Sequence, residues 1–375
     1  LKLPILVAAI STASVNALVG IFFLYRYRNN INNPMALWIA HVVLIITLIL
    51  LAIGGGHWIR SMNSTLFMDK VEYSKVTPFQ HITLTTRIKG KGLPEVISLY
   101  LNGRLQFSSN DEVIYHSFLT YPPMLASARH DKILVIGGGD GLAARDILRW
   151  QPELITLIDL DKAMLDLFSG KDEAVPEAIN QKILSLNKSA LLDQRLQIII
   201  GDAFLEIEKL ISKQQVYDTI IIDLPDPSHP DLNKLYSVYF YQRLRELLAG
   251  DGIIAIQSTS PYHAKKAFLS IGKTLAPAGF LTEQYHANVP TFGEWGWSIG
   301  SKLGKSPLQR IKAMESLPLS ATWMSLAQIQ AAFVFAPGFF ADLDKIEINS
   351  LGSNIVYQYH HDAWAKDEGI FSINK

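Results

Sequence analysis

The amino-acid sequence predicts an α/β fold with a doubly wound, mostly parallel sheet. Four short apolar runs in the middle of the chain each lead into an acidic residue. A glycine-rich turn follows the first run, and segments with helical spacing separate the runs. Buried strands that alternate with helices are typical of open α/β sheets, so these observations together indicate that class. A small β domain and two apolar helices are predicted before the sheet.

The apolar helices are predicted at residues 3–25 and 35–59, and each stretch is long enough to cross a bilayer core of about 30 Å. Two stretches exceed what a cleaved signal peptide explains, so we predict a transmembrane hairpin in a multi-pass protein of the inner membrane. Arg26 and Arg28 between the helices oppose Lys2 and Arg60 outside them, so charge does not orient the hairpin. Because the first residue is not Met, further helices of a longer membrane protein can precede it.

The small β domain is predicted from residues 71–109, where apolar and polar residues alternate. Turn residues interrupt the alternation at 89–92, which is Lys-Gly-Lys-Gly, and at Asn102-Gly103. Glycine and asparagine accept the positive φ angles of tight hairpin turns. The segment therefore predicts β-hairpins.

The glycine-rich turn, Gly137-Gly138-Gly139-Asp140-Gly141, stands between the apolar residues 133–136 and the helix-like residues 142–150. Glycines allow a ligand to approach the backbone, and free N–H groups at a helix start favour electronegative ligand atoms. We therefore predict a nucleotide-like ligand at Gly137, Gly139 and Asp140. A buried structural turn uses the same residues, so the turn alone is weak evidence.

Three further strands are predicted at residues 154–158, 196–200 and 219–222. The residues that follow them, and that we predict to line one crevice with the glycine turn, are Asp159, Asp202, Ala203, Asp223 and Asp226. In open α/β sheets the ligand lies at the carboxyl ends of the strands, and a carboxylate after the second strand binds ribose hydroxyls. Asp159 is the predicted ribose ligand. Helix capping is the alternative, and it explains one or two of these acids but not all of them.

Composition excludes several classes of function. Lys plus Arg and Asp plus Glu both number 34, so we predict no nucleic-acid partner. Cysteine is absent, which excludes disulfides and thiolate metal ligands. The ten histidines show no zinc spacing, and His360-His361-Asp362 is interpreted as a polar surface segment. No metal is predicted.

Residues from about 80 to 300 resemble the spermidine synthases, the polyamine aminopropyltransferase family. The motifs that carry the resemblance, in order, are Phe79-Gln80, Leu101-Asn102-Gly103-Arg104-Leu105-Gln106, Asp111-Glu112, Tyr115-His116, the glycine turn, Asp159-Leu160-Asp161, Gly201-Asp202-Ala203, Asp223-x-x-Asp226-Pro227 and Pro290-Thr291. The resemblance implies a Rossmann-like sheet of the methyltransferase type. It also implies transfer of an aminopropyl group from decarboxylated S-adenosylmethionine to an amine such as putrescine, giving spermidine or a related polyamine and methylthioadenosine.

The resemblance also implies several site residues. Gln80 and Gln106 are expected to enter the cofactor site from the β domain, which covers the active site in the family. Tyr115 is expected to orient the attacking amine through its hydroxyl, and His116 to contact the substrate. Metabolite supply favours a cytoplasmic catalytic domain, and analogy with related folds favours a homodimer.

Charge supports the same chemistry from the residues themselves. A carboxylate at Asp140 that faces the carboxylate of ordinary S-adenosylmethionine at about 4 Å costs about 4 kcal/mol at an effective dielectric near 20, roughly a thousandfold in affinity. The decarboxylated donor avoids that cost. An alkyl amine has a pKa near 10 and must lose a proton before it attacks, so Asp223 is the candidate base. Asp226 is expected to hold the acceptor ammonium.

The chain departs from the family pattern at two positions. Phe292 follows Pro290-Thr291 where typical members have tyrosine, and His229 stands where glycine is usual. Either another group replaces the missing hydroxyl or the acceptor differs from putrescine. Glu294 and Trp295 suit an alkylammonium through charge and cation–π contact, and with Phe292 they are the remaining predicted substrate contacts. The alternative is a surface turn whose tryptophans pack on the core.

The predicted domains are transmembrane helices at 1–62, the β-hairpin domain at 63–128, the Rossmann-like catalytic domain at 129–304 and a C-terminal extension at 305–375. Two other functions stay open at this stage. One is a methyltransferase that uses ordinary S-adenosylmethionine, which Asp140 and the Asp223-x-x-Asp226 motif disfavour. The other is a non-catalytic membrane module that binds a polyamine or nucleoside.

Overall fold

The computed structural model describes residues 5–319 and 323–367, and it divides into two compact units, Leu1–Arg104 and Leu105–Lys375. Residues 105–128, which the sequence analysis grouped with the β domain, belong to the second unit. The predicted division into four domains stays a prediction.

The first unit begins with two long helices, α1 (Ile5–Tyr27) and α2 (Pro34–Leu66). Both are long and apolar enough to cross a membrane. They pack closely at Gly20, where a Cβ atom would lie 2.6 Å from Nε2 of His41. The two predicted helices are confirmed. Lys2 and the side chain of Arg60 lie outside the described residues.

Three antiparallel strands follow in the first unit: β1 (Lys70–Val76), β2 (His81–Ile88) and β3 (Glu95–Leu101). Ile88 pairs with Glu95, so the first predicted hairpin turns at residues 89–94. Asn102 and Gly103 have φ angles of 53° and 78°, which suit a tight turn. Strand β4 (Arg104–Ser108) spans the division between the units.

The second unit contains a seven-stranded sheet. Its strands are β5 (Lys132–Gly137), β6 (Leu154–Asp159), β7 (Leu196–Ile200), β8 (Tyr217–Asp223), β9 (Leu248–Gln257), β10 (Leu281–Val289) and β11 (Gly293–Ser301). The strand order is β10-β11-β9-β8-β5-β6-β7, and all pairings are parallel except those of β11. The chain runs outward from β5 to β6 and β7 and then returns to β8 on the other side of β5, so the topological switch point lies between β5 and β8. The predicted doubly wound sheet is confirmed.

Helices connect these strands. They are α3 (Glu112–Ala126), α4 (Leu142–Ile147), α5 (Lys162–Phe168), α6 (Glu177–Leu186), α7 (Ala203–Ser212), α8 (Val238–Leu247) and α9 (Lys265–Leu275). Because crossovers between parallel strands are right-handed as a rule, the connections on the two sides of β5 are expected to lie on opposite faces of the sheet. The central strands are buried on both faces and are therefore almost continuously aliphatic, as in Ile220, Ile221 and Ile222.

The C-terminal segment contains α10 (Pro307–Lys312), α11 (Leu326–Ala331) and α12 (Ile355–Asp367). Lys273 of α9 donates to the carbonyl oxygens of Leu343 (2.8 Å) and Ile346 (2.7 Å). Helix α12 packs against α9 and against the 3-10 turn Pro230–Tyr236. The C-terminal segment therefore returns to the carboxyl end of β8.

Asp218 anchors the start of the central strand β5, and its replacement should destabilise the fold. Its Oδ2 accepts the backbone N–H groups of Asp131 (3.0 Å) and Lys132 (3.1 Å), and the residue is 8% exposed. In Asp218→Ala the two backbone donors lose their acceptor, so we expect the free energy of unfolding to fall by roughly 2–4 kcal/mol. Thermal unfolding of the chain in detergent measures this change, because Tm should fall by roughly 2–4 °C for each kcal/mol.

Asp251→Ala is the matched control, because its half-exposed carboxylate forms a surface ion pair with Arg129, which pairs with Asp218 as well, but accepts neither of the two backbone N–H groups. Equal thermal midpoints for the two variants would contradict the assigned role of Asp218.

Candidate active site

The glycine turn brings the ends of three strands together. Gly137 has a φ of 82°, and a Cβ there would lie 2.1 Å from the carbonyl oxygen of Asp223. A Cβ at Gly139 would lie 2.6 Å from Oδ2 of Asp159. A side chain at Gly137 would displace the end of β8, and one at Gly139 would displace the carboxylate of Asp159. The glycines therefore let the turn lie directly against the two aspartates.

Two aspartates and a histidine meet beside this turn. Donor atoms of His116, Asp140 and Asp223 all lie within 4.8 Å of one another. Oδ1 of Asp140 also accepts the backbone N–H of Leu142 at 2.9 Å. Burial raises the pKa of Asp140, and it raises the pKa of Asp223 to about 6. The two carboxylates of this set can attract a metal ion or an organic cation through their negative charge.

Helix α3 supplies Tyr115 and His116 to this group. The hydroxyl of Tyr115 donates a 2.8 Å hydrogen bond to Oδ1 of Asp223. Burial and the charge of Asp223 raise the pKa of Tyr115 well above its usual value, so the phenol stays protonated and acts as the donor. The predicted base and the predicted orienting residue are therefore in direct contact.

His116 is held by a buried ion-pair chain. Its Nδ1–H donates to the carbonyl oxygen (2.8 Å) and to Oε2 (2.9 Å) of Glu112. Burial lowers the pKa of His116, but Glu112 and the nearby aspartates outweigh it and raise the pKa to about 9. Arg145 donates to both carboxylate oxygens of Glu112, at 2.7 and 3.1 Å, and to Asp146 at 2.9 Å. Burial opposes ionisation of Glu112, yet His116 and Arg145 hold its pKa at about 2.

The charges of this buried group do not cancel. Its carboxylates are Glu112, Asp140, Asp146 and Asp223, and its cations are His116 and Arg145. With all six ionised, two negative charges remain in excess. Such a site attracts cationic ligands.

Asp159 is the residue that was predicted to bind the ribose hydroxyls. Its Oδ1 accepts the backbone N–H of Asp161 at 2.9 Å, and burial raises its pKa to about 7. Asp202 has different partners: it caps α7 through the N–H of Phe204 (3.0 Å) and pairs with Lys234 (2.6 Å). For Asp202 the capping alternative holds, and the predicted ligand contacts of Asp202 and its neighbour Ala203 stay predictions.

Each carboxylate oxygen of Asp226 has a polar neighbour. Nε2 of Gln257 donates to Oδ1 at 3.1 Å, and Nε2 of His360 lies 3.2 Å from Oδ2. His360 is 1% exposed, so the predicted surface location is wrong for this residue. It is right for His361 and Asp362, whose side chains are 61% and 72% exposed. Adjacent residues on a helix face different directions, which explains the split.

Aromatic rings pack beside Tyr115. The rings of Phe292 and Tyr115 are 6.2 Å apart, and those of Phe292 and Trp295 are 5.2 Å apart. Asp111 fixes this loop, because its Oδ2 accepts the N–H (2.7 Å) and the hydroxyl (2.5 Å) of Thr291. Trp295 is 9% exposed, so its indole is part of the packed interior. Phe292 itself supplies no hydroxyl at the position where typical members of the resembled family have tyrosine.

Three other predicted residues have separate settings. Glu294 is within hydrogen-bonding distance of Nδ1 of His286. Gln106 lies in β4, and its Nε2 is 3.4 Å from the carbonyl oxygen of Leu105. Gln80 belongs to the first unit, in the loop between β1 and β2, where its N–H donates to the hydroxyl of Thr77 (3.0 Å). Their contacts with ligands stay predictions.

His116 was predicted from the sequence, but four residues around it and Asp226 were not: Glu112, Arg145, Gln257 and His360. Glu112 and His116 are four residues apart on α3, a spacing that places them on one helix face and was available as a signal. Arg145, Gln257 and His360 had no local signal, because their partners are distant in the chain.

Comparisons with known proteins agree with this geometry. A family model described as the spermine/spermidine synthase domain matches residues 112–312. The polyamine aminopropyltransferase of Shewanella oneidensis is 51% identical over 370 residues, which is 99% of this chain and 64% of that protein. Polyamine aminopropyltransferase 2 of Bacillus cereus is 38% identical over 297 residues, 77% of each chain.

Solved structures have the same fold. A spermidine synthase in complex with the transition state analogue AdoDATO superposes with a TM-score of 0.62 at 22% identity, over 74% of this chain and 89% of that one. The spermidine synthase of Thermotoga maritima gives a TM-score of 0.60 at 22% identity, over 73% and 87%. The chain spans 64% of the Shewanella relative and 60% of the Leptospira interrogans one. The family model and the Bacillus relative are decisive: the chain belongs to the spermine/spermidine synthase domain family.

Proposed function

We propose that the protein transfers the aminopropyl group of decarboxylated S-adenosylmethionine to a small diamine of the putrescine type. The observation that carries the proposal is the Tyr115–Asp223 hydrogen bond beside Asp140, in a buried group with excess negative charge. The relatives named polyamine aminopropyltransferase support it.

The proposed reaction balances with the groups at hand. The nitrogen of the acceptor amine forms a bond to the carbon beside the sulphonium, and the carbon–sulphur bond breaks with its electron pair on sulphur, giving methylthioadenosine. The proton of the amine passes to Asp223, which Tyr115 orients. Asp140 attracts the ammonium of the donor, Asp226 attracts the far ammonium of the acceptor, and positioning supplies much of the acceleration.

The donor's nucleoside is proposed to lie along the glycine turn. Asp159 would accept the ribose hydroxyls, and Gln80, Gln106, Asp202 and Ala203 stay proposed contacts of the same ligand. His116 holds its charge close to Asp140 and Asp223, so it limits repulsion between the two carboxylates before the donor arrives.

The protein is further proposed to be a multi-pass protein of the inner membrane with its catalytic unit in the cytoplasm. The support is that α1 and α2 expose large apolar side chains, among them Leu18 (67%), Phe22 (63%) and Leu50 (64%). Exposed apolar area of this extent needs lipid or another apolar partner. A homodimer stays a prediction from analogy.

Turnover should depend on Asp223. With decarboxylated donor and putrescine, Asp223→Asn should lower kcat by roughly 10²–10⁴-fold because the amide cannot accept the proton, while donor binding persists. Release of methylthioadenosine is the measurement, and it also tests the proposed activity.

Asp231→Asn is the matched control, because its side chain is 87% exposed in the same loop region. Unchanged turnover in Asp223→Asn would remove Asp223 from the mechanism. Methyl transfer from ordinary S-adenosylmethionine, or nucleoside binding without turnover by the unmodified protein, would replace the proposed activity.

The pH dependence should report the same base. With both substrates well below their KM values, the rate, which then depends on the free enzyme, should fall about tenfold per pH unit below about pH 6, because Asp223 in the free enzyme then carries a proton. Tyr115→Phe removes a hydrogen bond that stabilises the ionised carboxylate, so the pH at which the rate begins to fall should move higher. A single limb near pH 10, where a free amine titrates, would contradict the assignment.

Membrane association has its own test. The full-length protein should stay in the membrane pellet after washes with concentrated salt and alkaline carbonate, and detergent should release it, because α1 and α2 insert apolar surface into lipid. Release by salt or carbonate would contradict insertion.

A further inference from the structure

Helix α12 brings a buried histidine to the proposed acceptor end of the site. His360 is 1% exposed, and its Nε2 lies 3.2 Å from Oδ2 of Asp226. The family model ends at residue 312, so this contact comes from a part of the chain beyond the matched domain. Gln257 occupies the other oxygen of the same carboxylate. The carboxylate that is proposed to bind the acceptor therefore lies between one residue of the sheet and one of the C-terminal segment.

The C-terminal segment is locked against the loop that follows β8. Asn233 donates to Oδ1 of Asn349 (3.0 Å), and Asn349 donates back to the carbonyl oxygen of Asn233 (2.8 Å). The N–H of Asn349 donates to Thr274 of α9 (2.9 Å). Asn233 and Asn349 are both fully buried, at 2% and 0% exposure. His360 thus approaches Asp226 on a rigid support.

The indole of Trp364 determines whether Nε2 of His360 carries a proton. Nε1–H of Trp364 donates to that nitrogen at 2.9 Å, and the indole also stacks on His263, with ring centroids 5.7 Å apart. One ring nitrogen either accepts from Trp364 or donates to Asp226, since it has one site for a proton or a lone pair. When it accepts from Trp364, Nε2 carries no proton and therefore cannot donate to Oδ2 of Asp226. An alkylammonium of the acceptor supplies a donor instead.

We propose that His360 is a specificity-determining residue for the acceptor amine: its imidazole limits the length of the site on one side of Oδ2 of Asp226 and, because Nε2 accepts from Trp364, that oxygen can accept from the terminal ammonium of a short diamine. The proposal rests on the proposed aminopropyl transfer. An acceptor that extends past Asp226, such as a triamine, meets the imidazole and the indole behind it.

Steady-state kinetics of His360→Ala with diamines of increasing length and with spermidine tests the proposal. We expect KM for the short diamine to rise about tenfold or more, with KM for the donor unchanged. The ratio of kcat/KM for spermidine to that for the diamine should rise by a similar factor, because the imidazole no longer blocks the longer amine. His361→Ala is the matched control, one residue along the same helix with an exposed side chain, and it should match the unmodified protein.

Two further variants separate this role from simple support of the fold. His360→Gln keeps bulk and a polar group beside Asp226, so it should restore the preference for the diamine. Trp364→Phe frees Nε2 to carry a proton and donate to Asp226. It should therefore raise KM for the diamine without raising kcat/KM for spermidine. Thermal midpoints of all variants monitor folding, and if His360→Ala does not fold, the Gln and Phe variants decide the question.

The outcomes are distinct. If the unmodified protein releases no methylthioadenosine with any amine, the proposed function fails. If it is active and His360→Ala keeps its diamine KM and its amine preference, or Trp364→Phe does not change the diamine KM, the role of His360 is overturned.

Discussion

The structure of the site depends on the close approach of Asp140 and Asp223, two buried carboxylates that share one histidine. Like charges at this separation repel strongly in a medium of low dielectric, which is why burial and mutual repulsion raise the pKa of Asp223. Glu112, together with Asp140 and Asp223, keeps His116 protonated between the carboxylates. The remaining negative charge is what a cationic donor and a cationic acceptor can neutralise.

The fold makes this approach geometrically unavoidable. Gly137 is the last residue of β5 and pairs with Asp223, the last residue of β8, across the switch point of the sheet. A Cβ at Gly137 would overlap the backbone of Asp223, and Tyr115 reaches the same carboxylate from α3. Strand pairing, a glycine turn and one helix are therefore enough to assemble the proposed base. The acceptor end is different, because Asp226 lies in a loop whose position depends on Gln257 and on a helix from the far end of the chain.

The sequence predicted the parts of the molecule that follow local rules. Aliphatic runs marked the strands, and the glycine turn together with the family motifs identified Tyr115, Asp140 and Asp223. The long-range partners were out of reach: 134 positions separate His360 from Asp226, and 32 separate Lys234 from Asp202. Asp202 carries the same signal as Asp223, an acid after a strand, yet it caps a helix and pairs with a lysine. Only the tertiary structure distinguishes the two.

The most direct test of the account is the affinity of the full-length protein for two donors that differ only in a carboxylate. Isothermal titration calorimetry should show decarboxylated S-adenosylmethionine binding roughly 10³-fold more tightly than the ordinary form, and Asp140→Asn should remove most of that difference. Equal affinities, or tighter binding of ordinary S-adenosylmethionine, would contradict the claim that buried negative charge selects the ligand.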